Sequence, residues 1–135
     1  MILPTETLAS IRTLVAQSVG ALRVSGVVDS AAATTMTAAA ELGAYVSADR
    51  LKGDQVVIKT GTGAVSGNER YITASTTPGG VITVATWDTN PVAADTFDIY
   101  HRQIADKALL DLAIKDAIEL AQDSHLIDWE DLSSV

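Results

Sequence analysis

The sequence contains no cysteine, which rules out a disulfide framework or a thiolate metal site and leaves the redox compartment open. Large aromatics are almost as scarce, with one Phe, two Trp and three Tyr in 135 residues. A core without them rests on Val, Ile, Leu and Ala, which bury less apolar area each, so association with other subunits is an expected second source of stability. Nowhere do about 18 apolar residues run together, and Met1-Ile2-Leu3-Pro4 lacks the basic start and apolar stretch of a signal peptide. A soluble, unprocessed chain without membrane contact is expected. Positive charge is also in short supply. Nine Lys and Arg against 17 acids leave a net charge of −8, which argues against holding nucleic acid by phosphate neutralisation. The deficit is concentrated at one end, since residues 103–135 carry eight acids and two bases.

Hydrophobic residues make up 47% of the chain, enough for a globular fold, and the length fits a single domain spanning 1–135. Four stretches divide it. In residues 1–23, Leu8, Ile11, Val15, Val19 and Leu22 recur at three- and four-residue intervals, with Leu14 widening the stripe. That spacing predicts an amphipathic helix of about 18 residues, N-capped by Thr5 behind Pro4, with Gly20 as a weak point and Gly26 beyond the end. Residues 24–102 form a β-module of about six short strands rich in β-branched residues. They are expected at Arg23–Val28, Thr34–Ala38, Gln55–Thr60, Arg70–Thr76, Val81–Thr86 and Thr96–His101, with 39–51 an irregular or partly helical connection. Thr77-Pro78-Gly79-Gly80 marks a hairpin turn. Connections this short favour antiparallel pairing, in a small sandwich or open barrel.

The stretch 103–122 predicts a long helix with two apolar rows, Ile104, Ala108 and Leu112 on one and Leu110, Ile114, Ile118 and Ala121 on the other. A helix apolar on two sides contacts two neighbours, of which one is another subunit or the chain's own first helix. Asp111 and Lys115 stand at i,i+4 spacing. Residues 123–135 mix acids with Leu126, Ile127, Trp129 and Leu132 and are expected to form an extended docking tail, or else a frayed terminus folded onto its own domain. The candidate subunit interface therefore comprises Leu110, Leu112, Ile114, Ile118, Leu126, Ile127, Trp129 and Leu132. The overall expectation is an α+β fold.

Catalytic patterns are missing from the sequence. Gly61-x-Gly63-x-x-x-Gly67 has glycines in the manner of a phosphate loop, but no Lys-Ser or Lys-Thr follows and no helix opens after it, so a turn is the better reading. His101 and His125 lack the spacing of zinc ligands. No Gly-x-Ser-x-Gly elbow is present. The acids Asp123, Asp128, Glu130 and Asp131 lack the spacing and glycine of an EF-hand and read as a solvated face. Any two of the acids could be offered as a hydrolytic pair, and the sequence isolates none. Neither an enzymatic role nor a cofactor nor a metal is expected.

The region from Val24 to His101 resembles a strand-rich module of tailed-bacteriophage virion structural proteins. The resemblance runs through Gly53-Asp54-Gln55-Val56-Val57-Ile58, then Gly61-Thr62-Gly63-Ala64-Val65-Ser66-Gly67-Asn68-Glu69-Arg70-Tyr71-Ile72. It continues with Val81-Ile82-Thr83-Val84, Trp87-Asp88-Thr89-Asn90-Pro91 and Asp95-Thr96-Phe97-Asp98-Ile99-Tyr100. With its flanking helices the chain looks most like a head-to-tail connector, or neck adaptor, subunit. That resemblance implies a virion location after assembly in the host cytoplasm. It also implies a homo-oligomeric ring, expected to be twelve-fold, that touches portal protein and tail or neck proteins and passes genomic DNA without specific binding. An acidic lumen would suit such passage, because like charges repel. A virion surface decoration or carbohydrate-contacting β-module, with Trp87 and Tyr71 exposed, is the alternative.

Overall fold

The computed structural model describes residues 8–43, 49–65, 68–76 and 80–133, with side chains as far as 121. Helix α1 (Leu8–Val19) leads into strands β1 (Leu22–Val27), β2 (Ser30–Ala32) and β3 (Thr35–Thr37) and a single helical turn, α2 (Ala39–Leu42). Strands β4 (Gln55–Thr60), β5 (Glu69–Thr76), β6 (Val81–Val84) and β7 (Thr96–Tyr100) follow, and α3 (Lys107–Ser133) closes the chain. The fold is α+β, as the composition and periodicity imply.

Local chemistry sets the boundaries, and several differ from the sequence reading. Thr5 and Pro4 fall outside the described residues. Gly20 ends α1 instead of weakening it: its φ of +78° is open to glycine without a Cβ penalty, and it forms a Schellman cap. In that cap Gly20 N donates to Gln17 O at 3.2 Å and Ala21 N to Ala16 O at 2.8 Å. Leu22 is thereby released into β1 and Gly26 lies within that strand, where a Cβ would sit 2.4 Å from the Glu41 Cγ. Helix α3 begins at Lys107 and not at Gln103, because Asp106 caps it: the Asp106 Oδ1 accepts from Leu109 N at 2.9 Å, the geometry of an N-cap. Gln55 Oε1 takes the Lys107 N–H at 2.7 Å. At the other end the helix runs on through the stretch expected to be an extended tail. Residues 119–133 hold neither Gly nor Pro, so nothing in them breaks the backbone ladder.

The seven strands pair antiparallel throughout in the order β1-β7-β4-β5-β6-β3-β2. Strand β2, absent from the sequence reading, is Ser-Ala-Ala, with no β-branched residue to signal it. Strands β1 and β2 are consecutive in the chain yet occupy opposite edges of the sheet. Seven strands laid flat would separate those edges by roughly 29 Å, whereas the link from Val27 to Ser30 spans at most about 11 Å. The sheet must therefore curl until the end of β1 comes close to the start of β2, and it does so around one core as an open barrel whose edge strands β1 and β2 do not pair with each other. Val24, Val56, Ile58, Phe97 and Ile99 from one half pack with Met36, Ile72, Ile82, Val84 and Trp87 from the other.

The glycine loop serves this barrel and holds no phosphate. Its anion position is filled by the chain's own Asp95, which is buried and accepts from Thr62 N at 3.0 Å, Gly63 N at 2.8 Å and Val92 N at 3.1 Å. Gly61, at φ +101°, leaves no room for a side chain, since a Cβ would lie 1.9 Å from the Asp95 Oδ1.

Outside the barrel, α1 and α3 lie over β1, β7 and β4, where Ala16, Ala21, Val57, Tyr100, Ala105 and Leu110 form a second apolar cluster. Bonded to the Tyr100 of this cluster is Asp98, which has no exposure to solvent. Its carboxylate accepts from Thr13 Oγ1 at 2.6 Å, Ser25 Oγ at 2.6 Å and Tyr100 OH at 2.9 Å, and pairs with Lys59 Nζ at 3.0 Å. Arg12 on the same helix pairs with Asp111 of α3 at 2.6 Å and 3.2 Å. Burial alone would lower the Arg12 pKa, but the Asp111 carboxylate outweighs it and the net shift is upward. Asp111 also meets Lys107 at 3.2 Å and not the expected Lys115, which pairs loosely with Glu119 at 3.9 Å.

Two outcomes follow from this network. Replacing Asp98 by Ala leaves the largely buried Lys59 ammonium without its counter-charge and the Ser25 and Tyr100 hydroxyls without this acceptor, while Thr13 keeps Ala9 O at 3.0 Å. Urea melts should therefore show a loss of about 3–5 kcal/mol; a loss below about 1 kcal/mol would contradict the assignment. Burial, followed by the nearby Asp98 charge, raises the Tyr100 pKa above its ordinary 10.0. The folded state then keeps a proton that the unfolded chain releases, so stability is intact below that pH and falls as the pH climbs beyond it. An alkaline absorbance titration should show a phenolate step that coincides with unfolding and is missing from Tyr100→Phe. A step at the ordinary tyrosine pH that vanishes in that variant would be the opposite result.

Candidate interaction surface

Helix α1 does not bury the stripe that its spacing marks. Its buried residues are Arg12 and Ala16, with Thr13 bonded to Asp98 beside them, a face turned by about one residue step, roughly 100°, from the apolar stripe. The small Ala16 permits close approach to the sheet, while Arg12 and Thr13 supply donors. Leu8, Leu14 and Val19 are consequently left 49%, 60% and 53% exposed, and Ile11 and Val15 look sideways toward α3.

The two rows of α3 part in the same way. Leu110 and Ile114 are buried. Leu110 is held within its own chain's helical cluster, which withdraws it from the expected subunit surface. Ile104, Leu109, Leu112 and Leu120 are exposed, Leu120 at 68%. Between the helices runs an apolar groove of about 330 Å³ lined by Ile11, Val15, Ala113, Ile114, Ala117, Ile118 and Ala121. A second hollow of about 500 Å³ opens along the flank formed by Leu8, Asp111, Ile114, Lys115, Ile118 and Glu119. Ile114 and Ile118 belong to both. Of the expected interface residues, then, Ile114 and Ile118 line the groove, Leu112 stands on the outer face, and Leu110 is interior. Leu126, Ile127, Trp129 and Leu132 lie outside the residues whose side chains are described, as does His125.

Helix lengths give this surface its extent. Twelve residues of α1 span about 18 Å and 27 residues of α3 about 40 Å, so α3 outruns its partner by more than half its length. Apolar rows that no element among the described residues covers mark a place for another protein. Sequence reasoning placed Leu8, Leu14 and Val19 on the apolar stripe of an amphipathic helix and did not single them out as surface residues. The displacing feature, a polar inward face at Arg12 and Thr13, was visible only as two polar residues on the helix.

Chemistry beyond packing has little to work with. Among the described residues no group of three or more His, Asp or Glu converges as a metal site, and no helix is long and apolar enough to cross a membrane. Trp87 is buried, with its Nε1 donating to Thr35 O at 3.4 Å. The Tyr71 ring is half exposed, with the Arg102 guanidinium 4.2 Å from its centroid. Neither ring is an open stacking platform. Comparison with family models, with curated proteins and with solved structures found no match.

The placements separate by stability. Leu110→Ala should cost about 2–5 kcal/mol through the cavity it leaves, whereas Leu112→Ala should stay within about 0.5 kcal/mol in the isolated monomer. Equal losses at the two sites, measured by denaturant unfolding, would show that the two rows are misassigned.

Proposed function

We propose that this chain is a structural subunit that packs through its helical layer against copies of itself, as a ring-forming head-to-tail connector of a tailed-bacteriophage virion. The observation that carries the reading is the apolar face of α1 and α3 that no element among the described residues covers, with Leu8, Leu14, Leu112 and Leu120 exposed beside the groove at Ile114 and Ile118. Apolar burial drives association in proportion to the area removed from water. A barrel whose own core is closed leaves the helices as the part available for it. The resemblance of residues 24–101 to a virion β-module supplies the class, and the net charge of −8 suits a wall past which DNA moves without adhering. Contacts with portal protein and with tail or neck proteins, and a virion location, belong to the same proposal. A carbohydrate-contacting surface module has less in its favour, because Trp87 is interior.

The assembly test must spare the fold. Removing residues 103–135 would strip Ala105 and Leu110 from the cluster that covers Val57 and Tyr100, so loss of assembly there would be uninformative. Ile118→Asp is the cleaner change, since it places a charge in the groove without emptying the core. Sedimentation velocity over a concentration series should give one discrete oligomer for the wild type and a folded monomer for Ile118→Asp. A wild type that stays monomeric at high concentration and ignores portal and tail proteins would overturn the proposal.

A further inference from the structure

At the root of α3 the charge of the molecule reverses. Arg23, Lys52 and Arg102 line a surface cleft of about 470 Å³ together with Asp54, His101 and Gln103. Three bases against one acid, with the histidine neutral, give the cleft +2 in a chain whose net charge is −8. Asp54 is buried and pairs with Arg23 at 2.5 Å, and His101 Nδ1 lies 4.0 Å from its other oxygen. Burial raises the Asp54 pKa, against the lowering pull of Arg23 and His101. Lys52 and Arg102 are exposed, and among the described residues neither has a carboxylate partner.

The matching charge is at the opposite end of the same rod. From residue 116 onward the chain holds Asp116, Glu119, Asp123, Asp128, Glu130 and Asp131 and no Lys or Arg. The helix dipole adds partial negative charge at that end. A 27-residue helix sets its two ends about 40 Å apart, so the acidic end of α3 cannot fold back to the cleft from which its own helix departs. It can reach only the cleft of another copy.

We infer that the acidic distal end of α3 from one copy docks in the basic cleft at Arg23, Lys52 and Arg102 of the next, which deepens the ring reading and rests on it. The two contacting surfaces are different patches of one chain, so the interface is head-to-tail, the kind that closes into rings when the rotation permits. Opposite charges steer the encounter and set its direction, while the apolar face of the helices supplies area.

The test is a charge swap in the full-length chain, followed by sedimentation velocity at about 0.1 M salt. One variant carries Lys52→Glu and Arg102→Glu; the other carries Asp128→Lys, Glu130→Lys and Asp131→Lys. Lys52→Glu alone is the control that leaves the Arg102 contact with Tyr71 intact, and circular dichroism checks the folding of each. Each full variant alone should self-associate at least about tenfold more weakly, and an equimolar mixture should recover the wild-type oligomer, because every modified surface then meets its complement. Lys52→Glu should show a smaller loss in the same direction. Variants that assemble like a wild-type oligomer, or a mixture that recovers nothing, overturn this inference and leave the ring reading standing. A wild type that never assembles overturns both. Wild-type assembly unchanged in the cleft variant, together with loss of binding to inorganic phosphate or a short DNA duplex, would reassign the cleft to phosphate.

Discussion

A carboxylate with no access to water must find a partner in every direction, and Asp98 draws its partners from four elements: Thr13 on α1, Ser25 on β1, Lys59 on β4 and Tyr100 on its own strand β7. The position of α1 follows from that demand. A leucine face laid on this part of the sheet would leave the buried carboxylate with Ser25, Lys59 and Tyr100 but without its Thr13 donor, and would part Arg12 from Asp111, losses that outweigh leaving leucines in water. The helix therefore presents Arg12, Thr13 and Ala16 to the sheet and turns Leu8, Leu14 and Val19 outward. The apolar exterior of the helical layer is thus the consequence of a polar interior contact.

The same network makes the layer rigid in the places where assembly would load it. Arg12 ties α1 to α3 through Asp111, and Asp106 and Gln55 hold the first turn of α3 to itself and to β4. A long helix anchored at its root and exposed at Leu109, Leu112 and Leu120 is suited to hold a neighbour at a fixed angle. The barrel beneath contributes stiffness, since its two edges are joined by a link too short to let the sheet open. Its loops are committed to the same end. Asp95 fills the glycine loop, and Asn68 bridges Gly63 O and Thr89 O at 2.6 Å and 2.9 Å.

The unequal distribution of charge follows the same geometry. Bases near the root of α3 and acids along its far half lie too far apart to neutralise each other within one molecule, so on the proposed reading they are resolved between molecules. A chain with uniformly spread charge would have no preferred direction of association.

Period and punctuation alone determined the fold class, six of the seven strands and the existence of the two long helices. The β-branched run Val56-Val57-Ile58 and the alternation of Tyr71-Ile72-Thr73 are local properties of strands, and glycine-rich turns bound such runs whatever lies around them. The short β2 was not legible, because Ser-Ala-Ala has no intrinsic preference and pairs only because β3 and the edge link bring it there. The inward face of α1 was decided by the tertiary structure, since periodicity counts apolar residues but does not know that a buried aspartate sits opposite. The fate of Leu110 and Leu112 was decided in the same way. Both are apolar residues of α3, and the one that became core is the one that faces Tyr100 and Val57.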